Sequence, residues 1–392
     1  MSGPLIYGFD VNLVISVLRP SAPESRVPLL PADVRKLTQM GLPLQLESGF
    51  GQRLGFADAA YAEAGARLSA ERADLLRSAE VLLCLQPPPL AELVHLPAGR
   101  GLIALLDPFQ NAALLQHCLD HQLQALALEL IPRSSRAQAM DVLSSQASLA
   151  GYMAVMLAAS HSPRVLPMMS TPAGTLQPAR VFVLGAGVAG LQAIATARRL
   201  GARVEAGDLR PEAQEQIASL GARAVSLLPT TAAARIQTSQ DGYLTALSGQ
   251  TLTAQQALLQ QICARTDLLI TTAQVFGGPA PRLILPEMLA AMPSGAVVVD
   301  LAVETGGNVA GVVPDQICLY KGVQLIGYRN LPGRVPHAAS QMLSANLTAL
   351  LQALWEPDSQ TLQLQPEHPI VPGALATAAG QIVAPALLQR RQ

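Results

Sequence analysis

The amino-acid sequence predicts an α/β protein with two parallel-sheet domains that are separated by a cleft and joined by long helices. Three observations lead to this prediction. The 392 residues exceed the size that one ordinary hydrophobic core supports. Half of the residues are hydrophobic and only 3% are aromatic, a composition that suits helices packed on a sheet. Strand-like and helix-like segments alternate along the chain, and this order predicts parallel β-α-β units.

The first series of alternating segments ends near Ile131. It contains, in chain order, PLQLES, DAAYAEAG, AEVLLCLQPP, RGLIALLDP, NAALLQHCLDHQ and LQALALEL. The polar segment from Ile131 to Gln146 then begins a long helix, because Ser135 and Gln138 have the spacing of a capping box and the apolar run LAGYMAVMLAA follows. The Pro-rich stretch HSPRVLPMMSTPAGTLQP predicts a loop after this helix.

The second series begins with strand ARVFVLG, helix VAGLQAIATARRLG and strand RVEAGDL, and it ends with strand VQLIGY. Within it, the stretch 229–256 is rich in Thr, Ala, Ser, Gln and Gly without a steady period, which predicts a mobile surface loop. The long amphipathic helix ASQMLSANLTALLQALW follows the second series. Because one long helix leads into the second series and another leads out, we expect the chain to return to the first domain. The predicted domains are residues 1–140 with 330–392, and residues 141–329.

The composition argues against several classes of partner. The formal net charge is −1 and the sequence has no basic block, so nucleic acid and anionic membrane surfaces are poor candidates. Gly, Pro or a charged residue interrupts each long apolar stretch before the ~18 residues that a membrane span needs. The N-terminal residues lack the basic and apolar regions of a secretory signal. Four scattered cysteines without a CxxC pair predict buried thiols in a reducing cytoplasm.

One predicted helix has the spacing of metal ligands. His117 and His121 lie four residues apart with Cys118 between them, and such a pair can share a metal ion on one helix face. A third ligand of suitable spacing is missing from the neighbouring sequence, and so is the glutamate of an HExxH motif. The sequence therefore favours an ordinary helix surface and predicts no metal.

The stretch VFVLGAGVAGLQAIATARRLG has the glycine spacing of a dinucleotide-binding turn between a strand and a helix. Gly185 permits the tight turn, Gly187 lets a pyrophosphate approach the backbone, and Gly190 lets helix and strand pack closely. The phosphates would meet free N–H groups at the helix N-terminus. Asp208 ends the next strand at the expected distance of ~20 residues. A plain turn with a capping Asp is the alternative, but the combined features favour a Rossmann-like domain.

Asp208 also predicts which dinucleotide binds. Its carboxylate would accept hydrogen bonds from the adenosine ribose hydroxyls and repel a 2′-phosphate, so NAD(H) is favoured over NADP(H). Arg210 could in principle bind a 2′-phosphate, but Asp208 is the better placed. The predicted contacts in this part of the site are Gly185, Ala186, Gly187, Val188, Ala189, Gly190, Asp208, Leu209 and Arg210.

Two further strand ends carry polar residues, in TTAQVFGGPAP and DLAVETGGN. Ligands of open parallel sheets lie outside the carboxyl ends of the strands, so we expect both stretches to rim the cleft. An ordinary polar turn explains each stretch nearly as well. The residues expected at the cleft are Thr272, Ala273, Asp300, Glu304 and Gly306. Another glycine-rich stretch, GFGQRLG, lacks the third glycine in place and predicts no second dinucleotide site.

Six stretches together resemble one family: RVPLLPADVRKLTQMGLPLQLESGFG, IPRSSRAQAMDVLSSQASLAGY, VLGAGVAGLQAIATARRLGA, TTAQVFGGPAPRLI, VVVDLAVETGGN and IGYRNLPGRVP. They are similar to the NAD(H)-binding component of proton-translocating nicotinamide nucleotide transhydrogenase. The similarity runs from about Arg26 to about Trp355, and PRSSRAQAMDVLSSQ is its most specific segment. Alanine dehydrogenases share the two-domain layout more loosely, so two Rossmann-like domains are expected.

The resemblance implies that Arg133, Gln138 and Asp141 form the catalytic loop that holds the nicotinamide end of NAD(H), with Ser144 beside it. The spacing of Gln138, Asp141 and Ser144 predicts that one helical face carries all three and looks into the cleft. A solvated helix start, with Gln138 serving only as a cap, is the alternative. The resemblance also implies that Gly242 and Tyr243 belong to a loop that folds over bound nucleotide, where a merely flexible loop is equally plausible.

The sequence departs from what amino-acid dehydrogenation requires, namely a general base and a cation for the substrate carboxylate. The stretches CLQPP and LLDPF place Cys84, Gln86 and Asp107 where the Lys and His of alanine dehydrogenases would be expected. Arg26 is what remains of that polar set. Direct hydride transfer between two nicotinamide rings needs neither group, because positioning the rings ~3–3.5 Å apart is the main task.

The sequence therefore favours an NAD(H)-binding transhydrogenase subunit, expected to be dimeric and cytoplasmic. By resemblance, its partners are an NADP(H)-binding subunit and membrane-embedded subunits that translocate protons, which would make the chain peripheral to the inner membrane. A soluble NAD-dependent amino-acid dehydrogenase and a non-catalytic NAD-binding protein are the alternatives.

Overall fold

The computed structural model describes residues 13–227, 249–364 and 370–389. The chain forms two compact units: unit 1 comprises Met1–Gln146 with Val335–Gln392, and unit 2 comprises Ala147–Arg334. The first boundary lies six residues after residue 140 of the sequence-based division, because the Gln146 side chain bonds to Arg26 and Ala339 in unit 1. The second boundary lies five residues after residue 330.

Strands are numbered in chain order through the whole protein. Those of the unit 1 sheet are β1 (Ile15–Val17), β2 (Leu44–Glu47), β3 (Arg67–Ser69), β4 (Val81–Leu83), β5 (Gly101–Ala104), β6 (Gln124–Ala127), β18 (Leu375–Ala378) and β19 (Gln381–Ile382). The sheet order is β19-β18-β6-β5-β4-β1-β2-β3, in which β1 to β6 are parallel and the last two strands are antiparallel. The central strands β4 and β5 are fully buried apolar runs, as expected where helices cover both faces of a parallel sheet.

The seven-stranded sheet of unit 2 repeats this design. Its strands are β9 (Arg180–Leu184), β10 (Arg203–Gly207), β11 (Arg223–Ala224), β12 (Leu268–Thr271), β13 (Val297–Asp300), β14 (Ile317–Tyr320) and β15 (Val323–Ile326). Their order is β11-β10-β9-β12-β13-β15-β14, and all pairs are parallel except that between β14 and β15. The predicted α/β class with two Rossmann-like parallel-sheet domains is confirmed.

Helices connect and cover the strands. In the described ranges they are α1 (Pro31–Gln39), α2 (Asp58–Glu63), α3 (Arg72–Ser78), α4 (Leu90–Leu93), α5 (Ala112–Asp120), α6 (Val142–His161), α7 (Val188–Arg199), α8 (Glu212–Ser219), α9 (Gly249–Cys263), α10 (Pro286–Ala291), α11 (Pro336–Leu354), α12 (Val371–Ala374) and α13 (Pro385–Gln389). Short 3₁₀ turns lie at Gln52–Leu54, Leu128–Leu130, Gln138–Met140, Val303–Thr305 and Leu331–Arg334. The expectation of a loop over 229–256 is wrong for its last residues, since α9 begins at Gly249.

Two hairpins contain strands that the sequence did not predict. Strands β7 (Met169–Thr171) and β8 (Gly174–Leu176) form a separate hairpin in the stretch expected to be a loop, and all six of their residues are exposed. Strands β16 (Trp355–Glu356) and β17 (Thr361–Leu362) form another hairpin in unit 1. Short strands with little buried surface carry no alternation of apolar and polar residues, so the pattern gave no signal for them.

Helix α6 begins in unit 1 and continues into unit 2. The capping box predicted at Ser135 and Gln138 is wrong, because the helix starts only at Val142, after Asp141. By length and composition α6 is the one described helix that qualifies to cross a membrane, with a mean hydropathy of 1.4, contrary to the expectation that every long apolar run is interrupted. In the structure Ala154 contributes to the hydrophobic core of unit 2, and core helices pass the same test.

Helix α11 explains why the chain returns to unit 1. Its leucines at positions 343, 347, 350 and 354 repeat at helical spacing and are fully buried in the core of unit 1. Its polar side chains are also used, because the hydroxyl of Ser340 accepts from the Val27 N–H at 2.9 Å and that of Ser344 accepts from the Leu30 N–H at 2.8 Å. The segment after β1 is thereby fixed to a helix more than 300 residues away in sequence.

Candidate functional site

The glycine-rich turn follows β9 and leads directly into α7. Gly185 has φ 101°, and a Cβ there would lie 2.4 Å from the hydroxyl of Thr272. A Cβ on Gly190 would lie 1.9 Å from the carbonyl oxygen of Gly185. A Cβ on Gly187 would meet no atom within 4 Å. Two of the glycines are therefore required by packing within the turn, and the third faces open space that a ligand can enter.

The N-terminus of α7 is suited to an anion. The helix begins at Val188, and Gly187 precedes it without a side chain that could cap the first N–H groups. Those N–H groups have no acceptor within the helix, and the helix dipole adds positive potential at this end. Gly187 and Val188 are both exposed, so a phosphate has access to them.

Asp208, at the end of β10, is tied to the same turn. Its Oδ2 accepts from the Ala186 N–H at 2.7 Å, and its Oδ1 accepts from the Arg210 N–H at 2.9 Å. The guanidinium of Arg210 lies against the same carboxylate, with Nε 3.0 Å from Oδ1. Burial alone would raise the pKa of Asp208, but these hydrogen bonds hold that pKa below its usual value. The carboxylate is therefore ionised and already shared with Arg210, which the sequence did not indicate.

Thr272 and Ala273 lie at the adjoining end of β12. The Thr272 hydroxyl donates to the carbonyls of Leu184 and Gly185, at 3.3 and 3.2 Å. The side chain of Asn308 bonds both backbone groups of Ala273, accepting from its N–H at 3.0 Å and donating to its carbonyl at 2.8 Å. Sequence reasoning missed Asn308, because the stretch DLAVETGGN does not show which of its polar residues is fully buried.

The structure revises the expectation for Asp300, at the end of β13. Its side chain is 0% exposed and accepts from the Thr271 hydroxyl, the Ala302 N–H and the Val309 N–H, at 3.1, 2.9 and 3.0 Å. Burial raises the pKa of this carboxyl above its usual value despite these bonds. Asp300 thus shapes the loop behind the site and does not present its carboxylate to a ligand.

Glu304 and Gly306 stay at the surface of the same loop. The Glu304 carboxylate accepts from the Asn330 N–H at 3.0 Å. Gly306 ends a 3₁₀ turn with φ 104°, and its carbonyl accepts from the guanidinium of Arg282 at 2.8 Å. Arg282 is a second residue that sequence reasoning missed. Residues of the glycine turn, Asp208, Arg210, Thr272 and Ala273 therefore meet at neighbouring strand ends, whereas Glu304 has a structural partner of its own.

The polar segment of unit 1 is not a single helical face. Gln138 lies in a 3₁₀ turn and Asp141 lies between that turn and α6, so the expected helical spacing is wrong. Asp141 instead caps α6, since its carboxylate accepts from the Ser144 N–H at 2.8 Å and from the Ser144 hydroxyl at 2.6 Å. Arg133 and Gln138 are exposed.

Asn346 of α11 anchors this segment. Its Nδ2 donates to the Ala139 carbonyl at 2.7 Å, and its Oδ1 accepts from the Ser145 hydroxyl at 2.7 Å. The anchor lies about 200 residues from the segment in sequence, and no local motif could have identified it. Gly242 and Tyr243, also predicted to act on the nucleotide, lie outside the described residues.

The residues that would serve an amino-acid substrate are otherwise engaged. Arg26 is 6% exposed, and its guanidinium bonds Glu24 at 2.8 Å and Gln146 at 3.0 Å. Cys84 is buried, and its burial raises the pKa of the thiol to about 12, so the thiol is neutral. Neither group is placed to bind a carboxylate or to remove a proton.

The histidines of α5 form no metal centre with their neighbours. The rings of His117 and His121 stack at 4.0 Å between centroids. Desolvation and the neighbouring ring of His121 lower the pKa of His117. Among the residues that the structure describes, no group of three His, Cys, Asp or Glu side chains is arranged to hold a metal ion.

Comparisons with known proteins cover nearly the whole chain. The family model for the alanine dehydrogenase/PNT N-terminal domain matches residues 17–150, and that for the C-terminal domain matches residues 154–385. The first of the chains that make up NAD(P) transhydrogenase subunit alpha in Rhodospirillum rubrum is 39% identical over 93% of this chain and 96% of its own length. The alanine dehydrogenase of Halomonas elongata is 30% identical over 88% of each chain. The crystal structure of transhydrogenase from Sinorhizobium meliloti matches with a TM-score of 0.83 at 40% identity, over 94% of this chain and 100% of that one.

Proposed function

Since the chain belongs to the alanine dehydrogenase/PNT family, we propose that it is the NAD(H)-binding subunit of a proton-translocating transhydrogenase. It exchanges hydride between its own NAD(H) and NADP(H) on a partner subunit, and the exchange is coupled to proton translocation. One observation carries the proposal for this chain. In unit 2, an open glycine turn, a helix N-terminus and an ionised Asp208 meet at the ends of β9 and β10.

The turn holds the phosphates and the adenosine half of NAD(H). The pyrophosphate lies over Gly187 and accepts hydrogen bonds from the first N–H groups of α7, at Val188 and Ala189. The adenosine ribose donates to the carboxylate of Asp208, and Arg210 yields some of its present contact with that carboxylate. The backbone of Leu209 and the loop residues Thr272 and Ala273 line the same strand ends.

The polar segment of unit 1 serves the nicotinamide half. Arg133 and Gln138 are exposed and able to bond the carboxamide or the ribose of the cofactor. Asp141 and Ser144 act as the cap that fixes the position of this segment, and Asn346 holds it from behind. The segment therefore sets the geometry of hydride transfer, and no residue in it needs to act as an acid or base. Tyr243 closes over the bound nucleotide.

The second nicotinamide belongs to another chain. The sequence holds one complete glycine fingerprint, so the NADP(H) site and the membrane-embedded proton path are assigned to partner subunits. The protein is cytoplasmic and reaches the inner membrane through those partners.

A homodimer is the favoured assembly of the chain itself. The hairpin of β7 and β8 presents Met168, Met169 and Leu176 to solvent with 63%, 45% and 54% of each residue exposed. Contiguous apolar side chains on an isolated hairpin are unusual for a surface that faces only water, so we assign this face to the contact with a second copy.

Reconstitution tests the proposal. The purified chain is mixed with an isolated NADP(H)-binding transhydrogenase domain, and the transfer of hydride from NADH to NADP⁺ is followed spectroscopically. Rapid exchange that requires both proteins is expected. The alternative of an amino-acid dehydrogenase predicts NADH formation from NAD⁺ and L-alanine by the chain alone, which the engagement of Arg26 argues against. NADH binding without exchange in either assay would leave a non-catalytic NAD-binding protein and overturn the proposal.

A further inference from the structure

A cavity of about 460 Å³ lies wholly within unit 1, at the carboxyl ends of its first strands. Arg19 follows β1, Gly49 and Arg53 follow β2, and Arg72 begins the helix after β3. The chain reverses direction across the sheet between β1 and β4, so the cavity adjoins the topological switch point of this sheet. Crevices at such switch points are where open parallel sheets bind ligands. The proposed NAD(H) site uses no residue of this cavity.

The ionisable side chains that line the cavity are all arginines: Arg19, Arg53 and Arg72. Glu47 lies behind them, with its side chain only 6% exposed. It accepts from Arg72 NH1 at 2.7 Å and from the Arg19 N–H at 2.9 Å. One buried carboxylate does not balance three guanidinium groups, and like charges in one cavity repel each other. The cavity is therefore electrostatically suited to a ligand with two negative charges.

The backbone makes room for this arrangement at Gly49. The residue has φ 76°, and a Cβ there would lie 2.9 Å from NH1 of Arg19. The guanidinium of Arg53 is oriented by a hydrogen bond to the carbonyl of Glu24. Ser21 and Gln52 add a hydroxyl and an amide to the lining. The stretch GFGQRLG, which failed as a dinucleotide fingerprint, thus contributes a glycine and an arginine to a different kind of site.

We infer that this cavity binds the phosphoryl group of a small phosphate monoester. Guanidinium groups bind phosphate in bidentate fashion, and a phosphate has enough acceptor oxygens for three of them. The cavity is several times larger than a phosphate ion, so the rest of a small metabolite fits beside the phosphoryl group. Inorganic phosphate shares the chemistry and is the second source that the test must separate.

Calorimetric titration of the full chain with glycerol 3-phosphate and with inorganic phosphate tests the inference. NADH is present at saturation throughout, so that the glycine turn of unit 2 does not compete for phosphate, and chloride keeps the ionic strength constant. The double variant Arg19→Gln/Arg53→Gln is compared with Arg35→Gln/Arg77→Gln, which removes the same charge from exposed positions of unit 1 outside the cavity.

Saturable binding of the monoester is expected, weakened about tenfold or more in the cavity variant and within twofold of wild type in the control. Equal affinity for inorganic phosphate would identify free phosphate as the ligand while supporting the phosphoryl site. No saturable binding by the wild type, equal weakening in both variants, or preference for a dicarboxylate such as succinate would overturn the inference. Melting curves without phosphate show whether each variant is folded.

Discussion

The two sheets have the same strand order at their centres but offer different chemistry at their carboxyl ends. Unit 1 places its first six strands in the order β3-β2-β1-β4-β5-β6, and unit 2 matches it with β11-β10-β9-β12-β13-β15. In unit 2, α7 begins four residues after β9, from 184 to 188, and backbone N–H groups face the crevice. In unit 1, α1 begins 14 residues after β1, from 17 to 31, and arginine side chains face it.

The difference shows that topology fixes where a crevice lies and that the first strand-to-helix connection decides what the crevice binds. A short glycine turn exposes a helix N-terminus, which recognises phosphate through the backbone. The longer connection of unit 1 carries its helix away from the strand end, and the same place in the sheet is left to side chains. The following predictions test this contrast, beginning with the largest expected effect.

Substitution in the glycine turn should separate packing from binding. Gly190→Ala places a Cβ 1.9 Å from the Gly185 carbonyl oxygen, so we expect a loss of about 3 kcal/mol or more in the free energy of unfolding and no measurable NADH binding. Gly187→Ala meets no atom within 4 Å and should change stability by less than about 1 kcal/mol. Its methyl group occupies the pyrophosphate approach, so NADH affinity should fall about tenfold or more. Denaturant unfolding and NADH fluorescence titration measure both effects, and unchanged affinity in Gly187→Ala would contradict this placement of the pyrophosphate.

Glu129, which follows β6 in unit 1, should make stability depend on pH. Burial raises the pKa of this carboxyl to about 7 from 4.5, and one carboxylate oxygen is buried without a hydrogen-bond partner. A raised folded-state pKa means that the folded protein binds the proton more tightly than the unfolded chain. Its stabilising effect is complete below pH 4.5 and is lost as pH rises to 7, by about 3 kcal/mol.

Denaturant unfolding of the wild type and of Glu129→Gln between pH 4.5 and 8 checks this prediction. The variant should lack this decline and should be the more stable protein at pH 8. Parallel curves for the two proteins would show that Glu129 titrates normally.

Asp208→Ala should weaken NADH binding about tenfold, because the ribose hydroxyls lose a charged acceptor. The variant should also bind NADPH more nearly as well as NADH, since the carboxylate no longer repels a 2′-phosphate and Arg210 is released from its ion pair. Titrations with both nucleotides measure the ratio. Asp315→Ala, which removes an exposed ion pair with Arg329 elsewhere in unit 2, is the control and should leave the ratio unchanged.

Gln138→Asn should slow hydride exchange about five- to tenfold while NADH affinity stays within about threefold, as expected of a group that positions the ring. Exchange with an NADP(H)-binding domain is measured beside NADH titration. Gln116→Asn, an exposed glutamine on α5 bonded to Asp120, should change neither quantity. A loss of affinity equal to the loss of rate would assign Gln138 to ground-state binding instead.

The sequence predicted features that depend on local patterns. Parallel strands appear as apolar runs, and the glycine turn with Asp208 has fixed spacing, so both were found. The capping box was misassigned because Ser135 and Gln138 have the required spacing but lie in turns, whereas the actual cap at Asp141 depends on Ser144. Long-range partners left no local trace.

Asn308 and Asn346 show this limit most clearly. Each uses its amide to hold a loop of the site from a distant region of the chain, at 35 and about 200 residues. The sequence offers many asparagines with similar neighbours, and only the tertiary structure shows which are buried against a backbone. The engagement of Arg26 by Glu24 and Gln146 was hidden for the same reason.

Isotope transfer gives the most direct test of the account. The chain is loaded with NADH carrying deuterium at the transferable C4 position and mixed in ordinary water with an NADP⁺-loaded transhydrogenase domain. If hydride passes directly between two nicotinamide rings, mass spectrometry of the product will find the deuterium in NADPH. NADPH that carries hydrogen from water, or the absence of NADPH despite bound NADH, would contradict the account.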